Sequence, residues 1–411
     1  MKKYIFMTSN IYLVGGIQNY LASKIRYLKK NGWETYAFFC SGDSGECAYS
    51  ILNEYRKMEV KELVLYPGAW TLNIVEETIQ KMMSMLLETS SQEEIVIESH
   101  TDILALWGEL LAKRLDAKHM CFICNELFEG PNKFYKQYLD FFYFKYIRRE
   151  LYGIQEESIN QLFEGGKYQV DDRRFVFFAA VDECVQDIDN IIVEGIQRKD
   201  VNICFLGRED KLWDEIVKGV VAFSKNNALK SINFILVGKI WQKRKYIESE
   251  LKSVKNVTLI CTNDLVPIPK KLFEKCDVVI ATSGCACLAA EEGVPVIVAD
   301  AIRHLAIGVL GYTTQRSVST SENLYKYEDL LEEILFRGLC NSIECCLPKK
   351  ITEAEKHYNQ HFSYIERSDK EKRYYNNIMT GKRNYYKCMG YYIRKYFPGI
   401  MRVKQKLKRS N

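Results

Sequence analysis

The chain has 411 residues, of which 47% are hydrophobic and 27% charged, a composition that excludes a fibrous or wholly disordered protein. This length is enough for two hydrophobic cores of ordinary size, so two domains are expected. The net charge is +5, but residues 381–411 hold ten Lys and Arg side chains and no acid, which leaves residues 1–380 at −5.

The N-terminal sequence and the apolar runs argue against secretion and against a membrane span. The opening MKKYIFMTSN enters a strand of about six residues, too short for the apolar core of a signal peptide. No apolar run approaches the roughly 20 residues that a membrane-spanning helix needs. We therefore expect a cytoplasmic protein, in which most of the fourteen cysteines are reduced core residues.

Short apolar runs alternate with amphipathic helical patterns through the first half of the chain. This alternation predicts a parallel sheet covered by helices on both faces. The predicted strands are 4–7, 35–39, 62–65, 95–98 and 119–123. The predicted helices are 16–30, 48–57, 72–88, 103–115 and a long aromatic helix at 133–152.

A polar stretch at 164–174 is typical of a linker, and the alternation restarts after it. The predicted strands are 175–179, 202–206, 233–237, 257–260, 278–281 and 296–299, and the predicted helices are 212–224, 243–252 and 270–275. The sequence thus predicts an α/β protein with two Rossmann-like doubly wound domains in tandem, residues 1–165 and 172–350, with a cleft between them.

The segment DVVIATSGCACLAAEEGVPVIVAD, residues 277–300, contains the most informative turn. A buried strand is followed by Thr282, Ser283 and Gly284, then by a short helix, a Gly-x-Pro and a second buried strand. Backbone amides at a helix N-terminus lack intrahelical partners, and the helix dipole favours an anion there. This turn is therefore a candidate phosphate site.

Gly15 and Gly16 form a second candidate turn, between the first strand and its helix. Glycines let a backbone approach a ligand closely, although simple turn geometry would also explain them. The stretch GGIQNYLASKIRYLKKNGWETYAF resembles the opening of nucleotide-sugar glycosyltransferases of the GT-B fold, of the group 1 or family 4 type. VNICFLGREDK, INFILVGK and the turn at 277–300 resemble further elements of these enzymes in the same order, so the resemblance covers most of residues 1–380.

The resemblance implies transfer of a sugar from a nucleotide diphosphate donor, UDP- or GDP-linked, to a lipid-linked or cell-surface glycan, without a metal or other cofactor. Arg208 and Lys211 would then hold the donor diphosphate, with Lys218 as a substitute for Lys211 and with Ser283 and Gly284 beside them. The alternative is that these cations are solvated residues at a helix start. Residues 351–380 would form a helix that crosses back to the first domain.

His100 follows a buried strand and resembles a family histidine that faces the cleft. The carboxyl end of a strand is where α/β sheets bind ligands, although an ordinary loop histidine is the alternative. Asn125 and Glu126 follow the next strand and are candidates for contact with the acceptor, on the same side as Gly15 and Gly16. Glu126 is also the candidate general base if the reaction inverts the anomeric carbon.

The chain departs from the family pattern at two glutamates around the donor turn. Ile280 and Leu288 occupy their positions, while Glu291 and Glu292 lie nearer the Gly-x-Pro glycine and are candidate donor contacts. Without the usual pair, the contacts to the sugar and ribose must differ. A binding or scaffold protein that has lost transfer activity, or a GT-B sugar-nucleotide epimerase, therefore stays as an alternative.

Three patterns could indicate metal ligands, but each has an ordinary explanation: a polar loop, a strand and a solvated helix surface. They are the Asp187-Ile188-Asp189 triplet, the Cys121 and Cys124 pair, and the pair His357 and His361. We expect no metal site.

The basic tail, residues 381–411, interleaves its cations with six aromatic side chains. This mixture suits the anionic inner face of a membrane, where each cation contributes about 1 kcal/mol. The negative charge of residues 1–380 opposes broad nucleic-acid binding, and there is no recognised nucleic-acid motif. We expect a protein peripheral to the cell membrane, with a disordered solvated tail as the alternative.

Overall fold

The computed structural model describes most of the chain, and the chain divides into two compact units. The first unit comprises Met1–Ala179 and Glu353–Asn411, and the second Ala180–Thr352. The described residues are 2–12, 15–40, 47, 50–86, 94–124, 135–153, 156–163, 167–170, 184–300, 303–317, 323–346, 358–359, 361–363 and 373–378.

The first unit contains a six-stranded sheet in which every neighbouring pair is parallel. Its strands are β1 (Lys2–Thr8), β2 (Trp33–Phe39), β3 (Arg56–Glu59), β4 (Glu94–Ser99), β5 (Lys118–Ile123) and β6 (Leu151–Gly153). Its helices are α1 (Gly16–Lys30), α2 (Leu72–Leu86), α3 (Asp102–Leu115), α4 (Leu139–Ile147) and α5 (Glu156–Phe163). The strand order β3-β2-β1-β4-β5-β6 reverses direction between β1 and β4.

The second unit repeats this plan, with β7 (Val185–Gln186) and β11 (Ile268–Pro269) as a separate two-stranded sheet. The main strands are β8 (Val201–Leu206), β9 (Ile232–Val237), β10 (Val257–Asn263), β12 (Val278–Ala281), β13 (Val296–Ala299) and β14 (Ala306–Val309). The helices are α6 (Ile191–Glu194), α7 (Asp214–Asn226), α8 (Arg244–Leu251), α9 (Lys270–Glu274), α10 (Ser283–Glu291), α11 (Tyr327–Leu335) and α12 (Leu339–Ser342). The order β10-β9-β8-β12-β13-β14 reverses between β8 and β12, and β14 alone of these six is antiparallel.

Both strand orders are those of a Rossmann-like doubly wound sheet, so the predicted fold class is confirmed. The central strands β8, β12 and β13 are buried along their whole length, as expected where helices cover both faces. In the parts of the chain that the structure describes, no helix combines the length and the apolarity needed to cross a bilayer.

The helix predicted at 48–57 and the strand predicted at 62–65 are both wrong. Ser50–Asn53 form a short 3-10 turn, Arg56–Glu59 form the edge strand β3, and Lys61–Val64 form another 3-10 turn. The sequence did not predict β3 because its side chains are mostly charged. This is an edge strand, which pairs only with β2. Leu63 is buried in the core, which explains the apolar run without a strand.

The long aromatic helix predicted at 133–152 is shorter, because the chain turns sharply at Arg149. This residue adopts a left-handed conformation with φ of 61°, and the Glu150 amide donates to the Lys145 carbonyl at 2.9 Å. The turn ends α4 and lets β6 pair with β5. A periodic aromatic pattern cannot reveal such a turn, since it depends on backbone geometry at one residue.

The strand predicted at 175–179 and the tail at 381–411 lie outside the described residues. Of the helix predicted at 351–380, residues 358–359 and 361–363 are helical, whereas 373–378 are not. Phe362 stacks on Trp33 of the first unit with ring centroids 5.3 Å apart. The Tyr374 hydroxyl donates to the Ala117 carbonyl at 3.0 Å, so these segments pack on the first sheet and its helices.

A fully buried ion pair joins α1 to β4 in the first unit. Lys24 and Glu98 have no exposed side-chain surface, and the hydroxyl of Tyr20 donates to Glu98 at 2.8 Å. Burial alone would raise the pKa of Glu98, but Lys24 and the hydrogen bond from His100 hold it far below its ordinary value. The Lys24 ammonium also lies 3.4 Å from Nδ1 of His361, which links the C-terminal segment to this pair.

A second buried cluster surrounds Glu109 on α3. Its carboxylate contacts the Lys145 ammonium at 2.5 Å and Nδ1 of His119 at 2.7 Å, and it accepts from the Tyr375 amide at 2.7 Å. Burial opposes ionisation of Glu109, but Lys145 and then the hydrogen bond with His119 lower its pKa to about 2. Ionised Glu109 therefore stabilises the first unit and anchors the C-terminal segment.

We predict that Glu109→Gln destabilises the protein in a pH-dependent way. A pKa lowered from 4.5 to about 2 stabilises the fold fully above about pH 4.5, by about 3 kcal/mol, and this contribution disappears as pH falls through 2. In urea unfolding at pH 7, 5 and 3, the gap between wild type and variant should shrink by more than half by pH 3. The exposed control Glu76→Gln should stay within about 0.5 kcal/mol of wild type. An equal gap at all three pH values would contradict the assignment.

Candidate functional site

The carboxyl ends of β8 and β12 lie side by side where the strand order of the second unit reverses. Leu206 of β8 is in register with Ala281 of β12. The two segments that leave these strands, Gly207–Arg208 and Thr282–Ser283, therefore begin at the same edge as neighbours. In doubly wound sheets, ligands bind at this edge at the point of reversal. The structure thus brings the predicted arginine and the predicted phosphate turn together.

The turn after β12 begins α10 with an unusual backbone. Thr282 is extended, and its hydroxyl is buried with no hydrogen-bond partner among the described residues. Ser283 follows in the left-handed region with φ of 61°, and its amide donates to the carbonyl of Ser317 at 2.6 Å. The Ser283 amide is therefore already used within the protein, and Ser283 as a donor contact stays a prediction. Gly284 is the next residue of the first helical turn, where amides lack intrahelical partners.

The cations predicted to hold the diphosphate differ in their surroundings. Arg208 is 60% exposed and donates to Asp210 at 3.0 Å, an exposed contact that is easily exchanged for a ligand. Lys211 ends a 3-10 turn, is half-buried and has partners within the protein. Lys218 lies on α7 and is exposed. Arg208 is the cation nearest in sequence to the end of β8. It is also more exposed than Lys211.

Gly238, at the end of β9, holds the Gly207–Arg208 turn in place. Its φ is 137°, and a Cβ at this position would lie 2.2 Å from the carbonyl oxygen of Gly207. The Gly238 amide donates to the Asn263 carbonyl at 3.0 Å. The sequence analysis predicted no role for this glycine in the site. The Val-Gly of INFILVGK, directly after an apolar strand, was the one feature that could have indicated it.

Glu291 and Glu292 do not join the phosphate turn. They lie at the C-terminal end of α10, a helix of nine residues, and are therefore about 13 Å along the axis from its first residue. Glu292 faces Lys270 at 4.0 Å instead. The helix separates them from its own N-terminus, and their role as donor contacts stays a prediction. Ile280 and Leu288 are buried, so the positions of the missing glutamates belong to the core.

The first unit has an equivalent reversal between β1 and β4, and it holds the acceptor-side candidates. The His100 amide donates to the Met7 carbonyl at 3.0 Å, which ties the two strand ends together. Gly15 precedes α1 in an extended conformation, and Gly16 is exposed, with no neighbour close to a Cβ placed there. Asn125 and Glu126 lie outside the described residues.

His100 does not face a cleft as expected, because its side chain has no exposed surface. Nε2 lies 2.8 Å from Glu98, and the ring packs against Phe6 and Tyr20. The imidazole joins the buried ion pair to the end of β4, and its catalytic role stays a prediction.

Of the patterns considered as metal ligands, one includes His357, which lies outside the described residues. Asp187 and Asp189 are exposed, and Asp189 accepts from Lys271 at 2.7 Å. Cys121 is buried in β5, and His361 is buried beside Lys24. Within the described ranges, no three His, Cys, Asp or Glu side chains are grouped as metal ligands would be. All thirteen described cysteines are free thiols, five of them buried.

Two Rossmann-like units, each with its own strand-order reversal, define the GT-B fold, and the chain has this fold. Neither the protein-family models nor the curated proteins compared with the sequence match it.

Solved structures do match. A glycosyltransferase from Rickettsia africae is 11% identical, with a TM-score of 0.57, over 90% of this chain and 99% of that one. HepE of Anabaena, in complex with UDP and glucose, is 13% identical, with a TM-score of 0.53, over 89% and 97%. The UDP-GlcNAc 2-epimerase of Neisseria meningitidis, bound to UDP-GlcNAc, is 17% identical, with a TM-score of 0.51, over 88% and 100%.

We predict that Gly238→Ala destabilises the second unit strongly. The new methyl group would meet the Gly207 carbonyl at 2.2 Å, and the backbone would also be strained at a φ of 137°. Gly293→Ala is the matched control, because its φ of 80° is strained but nothing lies within 4 Å of its Cβ. Urea unfolding should show a loss of about 1 kcal/mol for the control and about 3 kcal/mol or more for Gly238→Ala. Equal losses would show that the close approach to Gly207 has no energetic weight.

Proposed function

We propose that the protein is a glycosyltransferase that moves a hexosyl group from a nucleoside diphosphate donor to a glycan acceptor. The proposal rests on one observation: Arg208 and the Thr282–Gly284 turn follow neighbouring strand ends at the strand-order reversal of the second unit. An exposed guanidinium and a helix N-terminus at one edge form a site for a diphosphate.

The chemistry follows from where charge develops during transfer. As the bond from the sugar to the diphosphate breaks, negative charge grows on the departing phosphate oxygen. A fixed guanidinium stabilises that charge, and so do helix amides and dipole, without a metal ion. The buried Thr282 hydroxyl supplies one further hydrogen-bonding group at the same turn.

A uridine nucleotide is the proposed donor. HepE was crystallised with UDP and glucose, and the meningococcal epimerase with UDP-GlcNAc. These two proteins share the fold of this chain, which supports a UDP-sugar over a GDP-sugar.

The acceptor is proposed to enter beside Gly15 and Gly16 of the first unit, where an exposed turn follows β1. Glu126, which follows β5 closely in sequence, is the proposed general base that removes a proton from the acceptor hydroxyl. Asn125 would contact the same sugar, and His100 would position this edge from within the core.

The likeness to the epimerase favours a second candidate function. An epimerase would bind the same UDP-sugar through the same edge, but it would return an isomerised nucleotide sugar and need no acceptor. The apolar Ile280 and Leu288 leave the sugar contacts unlike those of the transferase family, so the products decide between the two.

The acceptor is proposed to be a lipid-linked saccharide at the inner face of the cell membrane. Ten cations without an acid in residues 381–411, interleaved with aromatic rings, would hold the protein at an anionic surface. A site held at the surface would encounter a lipid-linked acceptor far more often than one free in solution.

We predict that Arg208→Ala weakens UDP binding by about 10- to 100-fold, as expected for loss of a hydrogen bond to a charged group. Arg337→Ala is the matched control, since Arg337 is a similarly exposed arginine of the second unit paired with Glu333. Calorimetric titration measures both. If no nucleoside diphosphate bound the wild type, a scaffold role would replace the proposal.

The same variants distinguish the two reactions. Wild type and Arg337→Ala should move labelled sugar from UDP-sugar to a membrane lipid extract, and Arg208→Ala should not. Isomerised UDP-sugar without an acceptor would instead establish the epimerase, and full transfer by Arg208→Ala would refute the diphosphate role.

We predict that the basic tail drives vesicle binding. The full chain should sediment with vesicles of phosphatidylcholine and phosphatidylglycerol but not with phosphatidylcholine alone, and added salt should release it. A chain ending at residue 380, and one whose ten tail cations are replaced by Gln, should both stay in solution. Sedimentation of the Gln variant would mean that charge is not the cause.

A further inference from the structure

Trp241 stands out because its side chain is 71% exposed, whereas large aromatic side chains are usually well covered. Of the other four tryptophans, Trp33, Trp107 and Trp213 are buried and Trp70 is partly buried. Trp241 follows β9 by four residues. Since β9 is the neighbour of β8, its loop leaves the same edge of the sheet as Arg208.

The loop that carries Trp241 is fixed to the Arg208 turn at both of its ends. Before Trp241, Gly238 lies against the carbonyl of Gly207. After it, the Lys243 amide donates to the side chain of Glu209 at 2.5 Å. Trp241 is thus enclosed between two contacts to the residues that flank Arg208.

The loop is also tied to the next strand and to the core. The Lys239 amide donates to Asp264 at 3.1 Å, and its ammonium pairs with the other carboxylate oxygen at 3.1 Å. Ile240 is buried. The backbone on either side of the indole is therefore held, and ligand binding would order few new groups. An exposed indole on a fixed backbone is well suited to stacking on a flat ligand.

We propose that Trp241 stacks on the nucleobase of the donor, an inference that rests on the proposed function. Neighbouring strands lie about 4.8 Å apart, so β12, β8 and β9 together span about 10 Å along the edge. A nucleoside diphosphate laid along it has its phosphates at the Thr282–Gly284 turn and Arg208 and its base at Trp241. Because every base has a π face, Trp241 strengthens binding of the nucleotide without selecting the base.

Titration of intrinsic tryptophan fluorescence with UDP and GDP tests this inference, since Trp241 is the most exposed indole. UDP should quench wild-type fluorescence, and inorganic pyrophosphate, which has no base, should not. By calorimetry, Trp241→Leu should bind UDP about 5- to 100-fold more weakly, Trp241→Phe should keep most of the affinity, and pyrophosphate should bind all three alike. Leu229→Ala, at a fully exposed apolar residue of the same unit, should behave as wild type.

The outcomes separate the inference from the function on which it rests. If Trp241→Leu bound UDP as tightly as wild type while Arg208→Ala bound it weakly, the stacking role would be wrong and the donor site would stand. Equal weakening of UDP and pyrophosphate by Trp241→Leu would also overturn stacking, because it would show an effect on the loop and not on the base. No binding of either probe to wild type would remove both proposals.

Discussion

The reversal of strand order is the constraint on which the candidate site depends. Crossovers run in opposite directions on the two sides of the reversal, so the segments that leave β8 and β12 part at the carboxyl edge instead of covering it. The exposed Arg208 and the first turn of α10 follow these two strand ends. Neither residue identity nor charge alone would produce that placement, since both turns depend on the register of Leu206 with Ala281.

The two units use the same reversal differently. In the first unit, the side chains at the end of β4 are fully buried. His100 contacts Glu98, and Glu98 pairs with Lys24. In the second, the adjoining strand ends carry an exposed arginine and a helix N-terminus. A buried ion pair costs much desolvation energy and contributes position more than affinity, whereas exposed groups are available to a ligand. The proposed anion site therefore lies in the second unit.

The sequence predicted best the elements whose pattern is local and uniform. Val278–Ala281 and Val296–Ala299 were predicted with their observed bounds, because strands buried on both faces are continuous apolar runs. The charged edge strand Arg56–Glu59 carries no such signal. In the site, the turn and Arg208 were foreseeable from their place after strands. The Ser317 carbonyl that occupies the Ser283 amide was not, since it comes from a loop distant in sequence.

The stacking of Phe362 on Trp33 has a consequence for the order in which the protein is made. Phe362 covers Trp33 and Tyr27, and it is synthesised after the whole second unit. During synthesis on the ribosome these two rings of the first unit are therefore uncovered. Contacts this distant in sequence form slowly, and exposed aromatic surface invites association meanwhile. The second unit, a continuous stretch of chain, is free of this delay and can finish folding before the first.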